Sequence, residues 1–500
     1  MGQIVFRRFS FLLFSSLLAA TAHADWLEAS SDHFVIYGDM REKSLQEFAG
    51  RLERFDAVMA YMYKQEPTKP SPSNRVTIFV VASADEVQEV TALKNRYVSG
   101  VYIPRAGSSV AVIPRLKRGS TKFDLSGETI LYHEYAHHFM ATNLTKRAHP
   151  RWFVEGFAEF FAGVQFRASG DVLVGTPPYY RAFELSTGRK VPIRSLLDFD
   201  GGVDPAKVGN DTFYGMSWAL FHYLVMVPER AGQTAKFGEL LAAGRSALEA
   251  AEGAFGDLQE LDRNLQAYLK RRPYLLLLKA VAFTTGTVTV RKLRPGEAAM
   301  MPVVIESRVG VSEEEAQSLL PQARKVAAQY PDDPSVLAAL AEAEFDAGND
   351  DAAIAAADRA LGIEPQLIRA HLQKGYALRN KVETGVLPKE AWKDVRIQFA
   401  RANKAENDHP IPLVQFYLTY LAQGERPTKN AIDGLEWAME LAPFDKGLRW
   451  LVAQQMVQDE RLAEAAQTLA PLAYSPHPGE HTDMARKLLE DVEGRLEANQ

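Results

Sequence analysis

The sequence contains no cysteine, which excludes disulfides and a lipoprotein anchor. It also has no large excess of charge of one sign: 57 Lys and Arg stand against 63 Asp and Glu, for a net charge of −6. This balance, spread over 500 residues, gives no argument for binding to nucleic acid or to an anionic membrane. Apolar residues make up 47% and charged residues 24%, an ordinary globular composition.

The apolar run near the start is too short to span a membrane. Arg7 and Arg8 precede the stretch FSFLLFSSLLAA, and Ala22-His23-Ala24 follows as a small-x-small cleavage site. Residues 1–24 therefore predict a secretory signal peptide cleaved after Ala24, with a membrane anchor as the alternative. We expect the mature protein to be periplasmic or secreted, without stable membrane insertion.

The length predicts about two to four domains. Residues 25–120 have an α+β pattern, in which a helix over 42–63 lies among strands. Residues 121–270 are mostly helical, and residues 271–310 are predicted to be a connector with some strand character. The predicted strands of the first part lie at 33–37, 75–81, 100–103 and 109–113.

The most informative segment is 126–163, which contains His133-Glu-Tyr-Ala-His137 in an almost wholly apolar helix pattern. Positions four apart share a helix face, so His133 and His137 can present two imidazoles to one metal ion. Glu134 then lies beside them, where it can accept a proton from water. Ser126 is a suitable N-cap for this helix.

A catalytic zinc needs a third protein ligand and one open position. Pro150 and Gly163 predict the limits of a second helix, and two antiparallel helices would bring its Glu155 to the histidines. Glu159 shares a face with Glu155 and could accept the outward N–H of a ligand histidine. The residues thus predict a Zn²⁺ site.

HEYAHHF followed by RWFVEGFAEFF resembles the gluzincin clan of metallopeptidases, most closely its peptidase-MA-like branch with an HExxH helix and an EGxAE helix. The resemblance implies His133, His137 and Glu155 as zinc ligands and Glu134 as the general base. It implies an α+β zincin-like catalytic domain, with a mixed sheet, the HExxH helix and a helical lower subdomain. The spacing to Glu155 is one residue shorter than in the aminopeptidases.

The same resemblance suggests two further roles. Tyr214 precedes a glycine-containing turn and Ala-Leu-Phe-x-Tyr-Leu, as does an oxyanion-stabilising tyrosine in aminopeptidase relatives, although it could simply pack in the core. The strand containing Ser109, Val110 and Ala111 is the candidate edge strand for binding substrate, or an ordinary sheet strand. The Gly-x-Met-Glu-Asn signature of aminopeptidases is missing upstream of His133, which favours an endopeptidase.

Residues 311–498 are rich in alanine and poor in β-branched residues. The segment 334–365 fits one 34-residue tetratricopeptide repeat (TPR), and more degenerate units follow it. We therefore predict an all-α TPR solenoid after the catalytic domain. Its groove could bind a protein partner, or the repeats could be a packing accessory to the catalytic domain.

Together these features predict an exported zinc peptidase that acts on a peptide or protein substrate, with a TPR domain that recruits a protein partner. One alternative is a non-catalytic, zinc-containing TPR scaffold of the cell envelope. Intact Glu134 argues against it, because a structural site needs no base. Another alternative is a hydrolase that acts on cell-wall peptide.

Overall fold

The computed structural model describes most of the chain from Trp26 onward. The predicted signal peptide, residues 1–24, lies outside the described residues. The described residues are 26–66, 68–91, 100–115, 125–144, 149–181, 185, 191–197, 210–475 and 480–498.

A six-stranded mixed sheet has the strand order β4-β5-β3-β2-β1-β9. The pairs β2/β3 and β3/β5 are parallel, and the other pairs are antiparallel. A smaller antiparallel sheet has the order β6-β7-β8. The strands are β1 (Leu27–Ser30), β2 (Phe34–Gly38), β3 (Val76–Val81), β4 (Val101–Ile103), β5 (Val110–Pro114), β6 (Gln165–Phe166), β7 (Val172–Val174), β8 (Leu276–Leu278) and β9 (Thr289–Lys292).

The prediction that the strand containing Ser109, Val110 and Ala111 lies at the edge of the sheet is wrong. Ser109, Val110 and Ala111 lie at the start of β5 or just before it, and β5 pairs with β3 on one side and with β4 on the other. All three residues are at most 1% exposed. The reason is the turn at residues 104–109, which folds the chain back so that β4 covers the outer side of β5. The sheet therefore ends at β4 on this side.

Helices surround the larger sheet and share one extensive apolar core with it. The predicted helix over 42–63 is confirmed as α1, and both helices of the 126–163 segment are present as α3 and α4. The helices of this part are α1 (Glu42–Met62), α2 (Ala84–Val90), α3 (Gly127–Asn143), α4 (Arg151–Ala162), α5 (Ile193–Leu197), α6 (Asn210–Met226), α7 (Gln233–Ala242), α8 (Ala247–Phe255) and α9 (Leu258–Tyr268).

Residues 271–310 are not a simple connector. β8 completes the small sheet, and β9 pairs with β1 along the far edge of the large sheet. The helix that follows, α10 (Pro295–Val309), packs its Met301 and Ile305 with the sheet residues and its Met300 with the helices beyond. The helix α10 joins the sheet region to the C-terminal helices, because some of its apolar side chains lie in the core beside the sheet and others lie in the core of those helices.

The C-terminal part is a TPR-like array of helical hairpins. Neighbouring helices pack in pairs along the chain, as the alanine-rich pattern predicts, because small side chains allow close approach. Gly348, with a φ of 78°, makes the turn inside the clearest repeat. The helices are α11 (Glu313–Gln329), α12 (Pro334–Asp346), α13 (Asp350–Ile363), α14 (Ile368–Glu383), α15 (Trp392–Ala405), α16 (Pro410–Ala422), α17 (Lys429–Leu441), α18 (Lys446–Gln458), α19 (Leu462–Ala473) and α20 (Glu480–Ala498).

The C-terminal helices fold back onto the first part of the chain. Ser73 donates hydrogen bonds from its backbone N–H and its hydroxyl to Glu406 Oε1, at 3.0 and 2.6 Å. The backbone N–H of Ala106, in the turn between β4 and β5, donates to Asp445 Oδ2 at 2.8 Å. Ala106 is itself buried in the apolar core of the last repeats. Among the described helices, none is long and apolar enough to cross a membrane.

Candidate metal centre

The helix that carries both histidines, α3, begins at a side-chain cap. The Ser126 hydroxyl accepts a hydrogen bond from the Thr129 N–H at 3.1 Å, as the sequence predicts. Two contacts tie the helix to α1: Arg51 pairs with Glu128 at 2.8 Å, and the Tyr135 hydroxyl donates to Asp56 Oδ1 at 2.9 Å. These contacts fix the rotation of α3 and hence the face that the histidines present.

The second helix, α4, begins after Pro150 and ends at Gly163, as predicted. It lies so close to α6 that a Cβ on Gly156 would approach the Ser217 carbonyl oxygen to 2.6 Å. Its Glu155 and Glu159 are both 0% exposed. Two buried carboxylates are costly unless partners compensate their charge, so the groups around them are decisive.

The structure brings His133, His137 and Glu155 together. The Nε2 atoms of the two histidines are 3.2 Å apart, and Glu155 Oε2 lies 3.4 Å from His133 Nε2 and 3.5 Å from His137 Nε2. Four-coordinate zinc binds nitrogen and oxygen at about 2.0–2.1 Å, so neighbouring ligand atoms of a tetrahedron are about 3.3–3.4 Å apart. The three observed separations match this edge length. The donor set and its spacing therefore fit a zinc ion.

The charges of these groups are strongly coupled. Burial by itself would lower the pKa of His133, but a hydrogen bond to Glu155 and the negative charges of Glu159, Glu155 and Glu134 raise that pKa to about 9. Burial would likewise raise the pKa of Glu155, but the two histidines hold it well below its usual range. A protonated His133 therefore helps to compensate the charge of the two buried carboxylates.

Glu159 lies near the Nδ1 atom of His133, whereas Glu155 lies near its Nε2 atom. Its Oε1 lies 3.5 Å from His133 Nδ1, which is longer than a good hydrogen bond but correctly placed for orienting that ring. Two neighbours hold the carboxylate in place: Tyr180 donates to Oε2 at 2.7 Å, and Arg181 donates to Oε1 at 2.8 Å. The sequence patterns gave Tyr180 and Arg181 no role. The only local signal near them is the Pro177-Pro178 pair, which indicates a loop.

Glu134 lies beside the histidines and opens onto a pocket. Together with His137 it lines a cavity of about 410 Å³, a volume typical of ligand sites. The edge strand β4 borders the same cavity through Tyr102. The Tyr102 hydroxyl also hydrogen-bonds to His138 Nδ1 at 2.6 Å, so His138 links the edge strand to α3.

Tyr214 lies beside His133 but outside the lining of this pocket. Its ring centre is 6.4 Å from that of His133, and the Arg181 guanidinium lies 4.8 Å above the Tyr214 ring. Burial and the charge of Glu155 raise the pKa of the phenol, so it remains protonated at neutral pH. Tyr214 therefore lies near the centre as a hydrogen-bond donor. In contrast, His222 on the same helix is a core residue bonded to Gly175 and Tyr268.

Comparison with known proteins identifies no family for the chain. No family model matches it, and no curated protein matches it. Solved structures that resemble it include a thermophilic TPR protein of Thermus thermophilus (17% identity, TM-score 0.32, 39% of this chain and 98% of that chain). MamA residues 41 to the end from Desulfovibrio magneticus RS-1 also matches (17%, 0.28, 39% and 95%), as does yeast Tom70 (14%, 0.27, 57% and 61%). TM-scores this low do not by themselves assign a fold, so the repeat assignment depends on the helices described above.

Proposed function

We propose that this chain is an exported, zinc-dependent peptidase, and specifically an endopeptidase. The observation that carries the proposal is the set of three ligand atoms at tetrahedral spacing beside Glu134 and an accessible pocket. His133, His137 and Glu155 would hold a zinc ion, which would supply the Lewis acidity that activates water and polarises a scissile carbonyl.

The residues of this chain would supply the proton transfers and the orientation. Glu134 takes the proton from the attacking water and passes it to the departing amine. Tyr214 donates a hydrogen bond to the oxygen on which negative charge develops. Glu159, held by Tyr180 and Arg181, keeps the His133 ring in position.

We further propose that β4, rather than the strand containing Ser109–Ala111, aligns the substrate backbone. β4 is the last strand of the sheet on the side of the metal centre, and it packs on the histidine helix. An extended peptide could add to it by main-chain hydrogen bonds. Tyr102 would then place the peptide at the pocket that Glu134 lines.

The repeats are the proposed site for a protein partner, as their TPR-like fold favours. Export to the periplasm or the medium is likewise part of the proposal, and it depends on the N-terminal pattern described above. A non-catalytic zinc-containing scaffold is the competing function. The two differ in one respect that can be measured, which is the need for Glu134.

The test combines metal analysis with digestion of a diverse peptide library. We expect about one zinc per mature chain and cleavage by the wild type, while Glu134→Gln keeps its zinc and loses about 10²–10⁴-fold in turnover. Glu155→Ala should lower zinc occupancy more than Glu159→Ala, because Glu155 is the direct ligand. Full zinc occupancy with no cleavage by wild type would favour the scaffold, and failure of wild type to bind zinc would overturn both functions.

A further inference from the structure

The pocket beside the metal centre is built from two distant parts of the chain. About half of its lining residues belong to the last repeats, at positions 443–475, and the rest come from β4, α3 and the region of α4. The repeats therefore form one wall of the candidate substrate pocket. A domain that only recruited partners at a distance would not need to touch this cavity.

The wall is held in place by specific contacts. The Phe444 ring packs against the His138 ring with centroids 4.2 Å apart, one residue beyond the ligand His137. Asp445 accepts the N–H of Ala106, and a Cβ on Gly107 would lie 2.8 Å from His409 Cε1. Close packing of this kind makes the relative position of the wall and the metal centre part of the folded structure.

The chemistry of the two walls differs. Met140, Val154, Phe444 and Leu472 make the interior mainly apolar, while the repeat wall adds the cations Lys446 and Arg449. The Lys446 ammonium donates to Ser475 Oγ at 2.8 Å, and Arg449 donates to the Pro443 carbonyl at 2.9 Å. Burial lowers the pKa of both groups, although Glu440 partly offsets this effect at Arg449. Lys446 is exposed and Arg449 is half-buried, so both cations are accessible to a carboxylate that enters the pocket they line.

We propose that this pocket selects peptides in which an apolar side chain is accompanied, within two residues, by a carboxylate that Lys446 and Arg449 bind. The volume of about 410 Å³ is large enough for more than one side chain. The apolar walls bind the first group, and the two cations bind the second. The inference rests on the proposed peptidase function, and it makes the repeats a determinant of specificity.

The test uses the zinc-loaded mature chain and matched peptides with the core Ala-Phe-Leu-Ala. Glu or Gln is placed within two residues of Phe on either side, and each peptide ends in an amide. A further arm ends the Gln peptides in a free acid next to the core, which separates a side-chain carboxylate from a C-terminal one. We expect the wild type to prefer the carboxylate peptides at least tenfold in kcat/KM.

The variants assign this preference to the wall. We expect Lys446→Gln/Arg449→Gln to lose about tenfold of the preference ratio, while Lys446→Arg/Arg449→Lys keeps the charge and most of the ratio. Lys429→Gln, which changes an exposed lysine of the repeats paired with Asp433, should leave the ratio unchanged. A double Gln variant that folds and keeps the wild-type ratio would overturn the proposal.

Binding to Glu134→Gln, measured by fluorescence anisotropy with the same labelled peptides, separates the two claims. Cleavage by wild type without preference for the carboxylate would overturn the pocket proposal and leave the peptidase proposal standing. Absence of cleavage, with carboxylate-selective binding that the double Gln variant loses, supports the pocket and overturns the peptidase. Absence of both cleavage and binding overturns the pocket as well.

Discussion

At the scale of single residues, the proposed zinc ion would compete with protons for His133. The pKa of about 9 means that His133 is protonated at neutral pH before a metal binds, whereas a ligand imidazole must be neutral. We therefore expect zinc binding at pH 7 to release one proton from His133. The apparent affinity should rise about tenfold per pH unit up to about pH 9 and then level off.

Isothermal titration calorimetry in buffers of different ionisation enthalpy measures this release directly. Glu155→Gln is the isosteric comparison, because it removes the carboxylate charge that raises the pKa of His133. The variant should bind zinc more weakly and release fewer protons at pH 7. An affinity of the wild type that is constant between pH 7 and 9 would contradict this account.

Tyr214 allows a second test at this scale. If its phenol donates to the developing oxyanion, Tyr214→Phe should lower kcat at least tenfold and leave KM within about threefold, because the bond forms only in the transition state. Tyr223→Phe is the control: it lies on the same helix, and its hydroxyl bonds Arg230 instead. A Tyr214→Phe effect on kcat of less than about threefold would assign Tyr214 to packing alone.

At the scale of elements, the candidate metal centre depends on how closely α4 approaches α6. A methyl group on Gly156 would meet the Ser217 carbonyl oxygen at 2.6 Å and Phe221 Cβ at 2.8 Å, and neither helix can yield without shifting. Gly156→Ala should therefore destabilise the protein by about 1–3 kcal/mol. It should also weaken zinc binding, since Glu155 is the adjacent residue.

Urea unfolding measures the stability change, and zinc titration measures the second effect. Gly238→Ala in α7 is the matched control, since a Cβ there meets nothing within 4 Å. This control should be neutral or stabilise the protein by up to about 1 kcal/mol, because alanine favours a helix over glycine. Equal effects of the two substitutions would show that close helix packing is not what limits position 156.

At the scale of the whole molecule, the repeats and the sheet region are connected by a few polar contacts around an apolar interface. Glu406→Ala removes the acceptor for both donors of Ser73, so those groups lose their partner at the interface. We expect a loss of about 1–3 kcal/mol in stability and faster amide hydrogen exchange around residues 71–75. Glu493→Ala, at an exposed position of α20, is the control. Unchanged exchange at Ser73 in the Glu406→Ala variant would argue against this coupling.

Local sequence patterns determined much of the fold. The caps and apolar spacing of 126–163 placed the start of α3 and both ends of α4 within a residue of their observed positions, because these signals act through nearest neighbours in the chain. Helical periodicity likewise located the repeats, and β-branched runs located β2, β3, β4 and β5, but not β1, β6 or β7. The cluster of His133, His137 and Glu155 followed from two helices and a short connection, and the structure brings these residues together.

Tertiary structure alone decided the strand order and the composition of the pocket. A strand pattern does not specify its neighbours, so no local signal indicated that β4 would cover β5, or that 271–310 would extend both sheets. Lys446 and Arg449 lie more than 300 residues from His137 and carry no motif, and only the docking of the repeats brings them to the pocket that Glu134 also lines. Local sequence therefore determined the candidate ligands and their close arrangement, whereas the surroundings that would select a substrate depend on long-range packing.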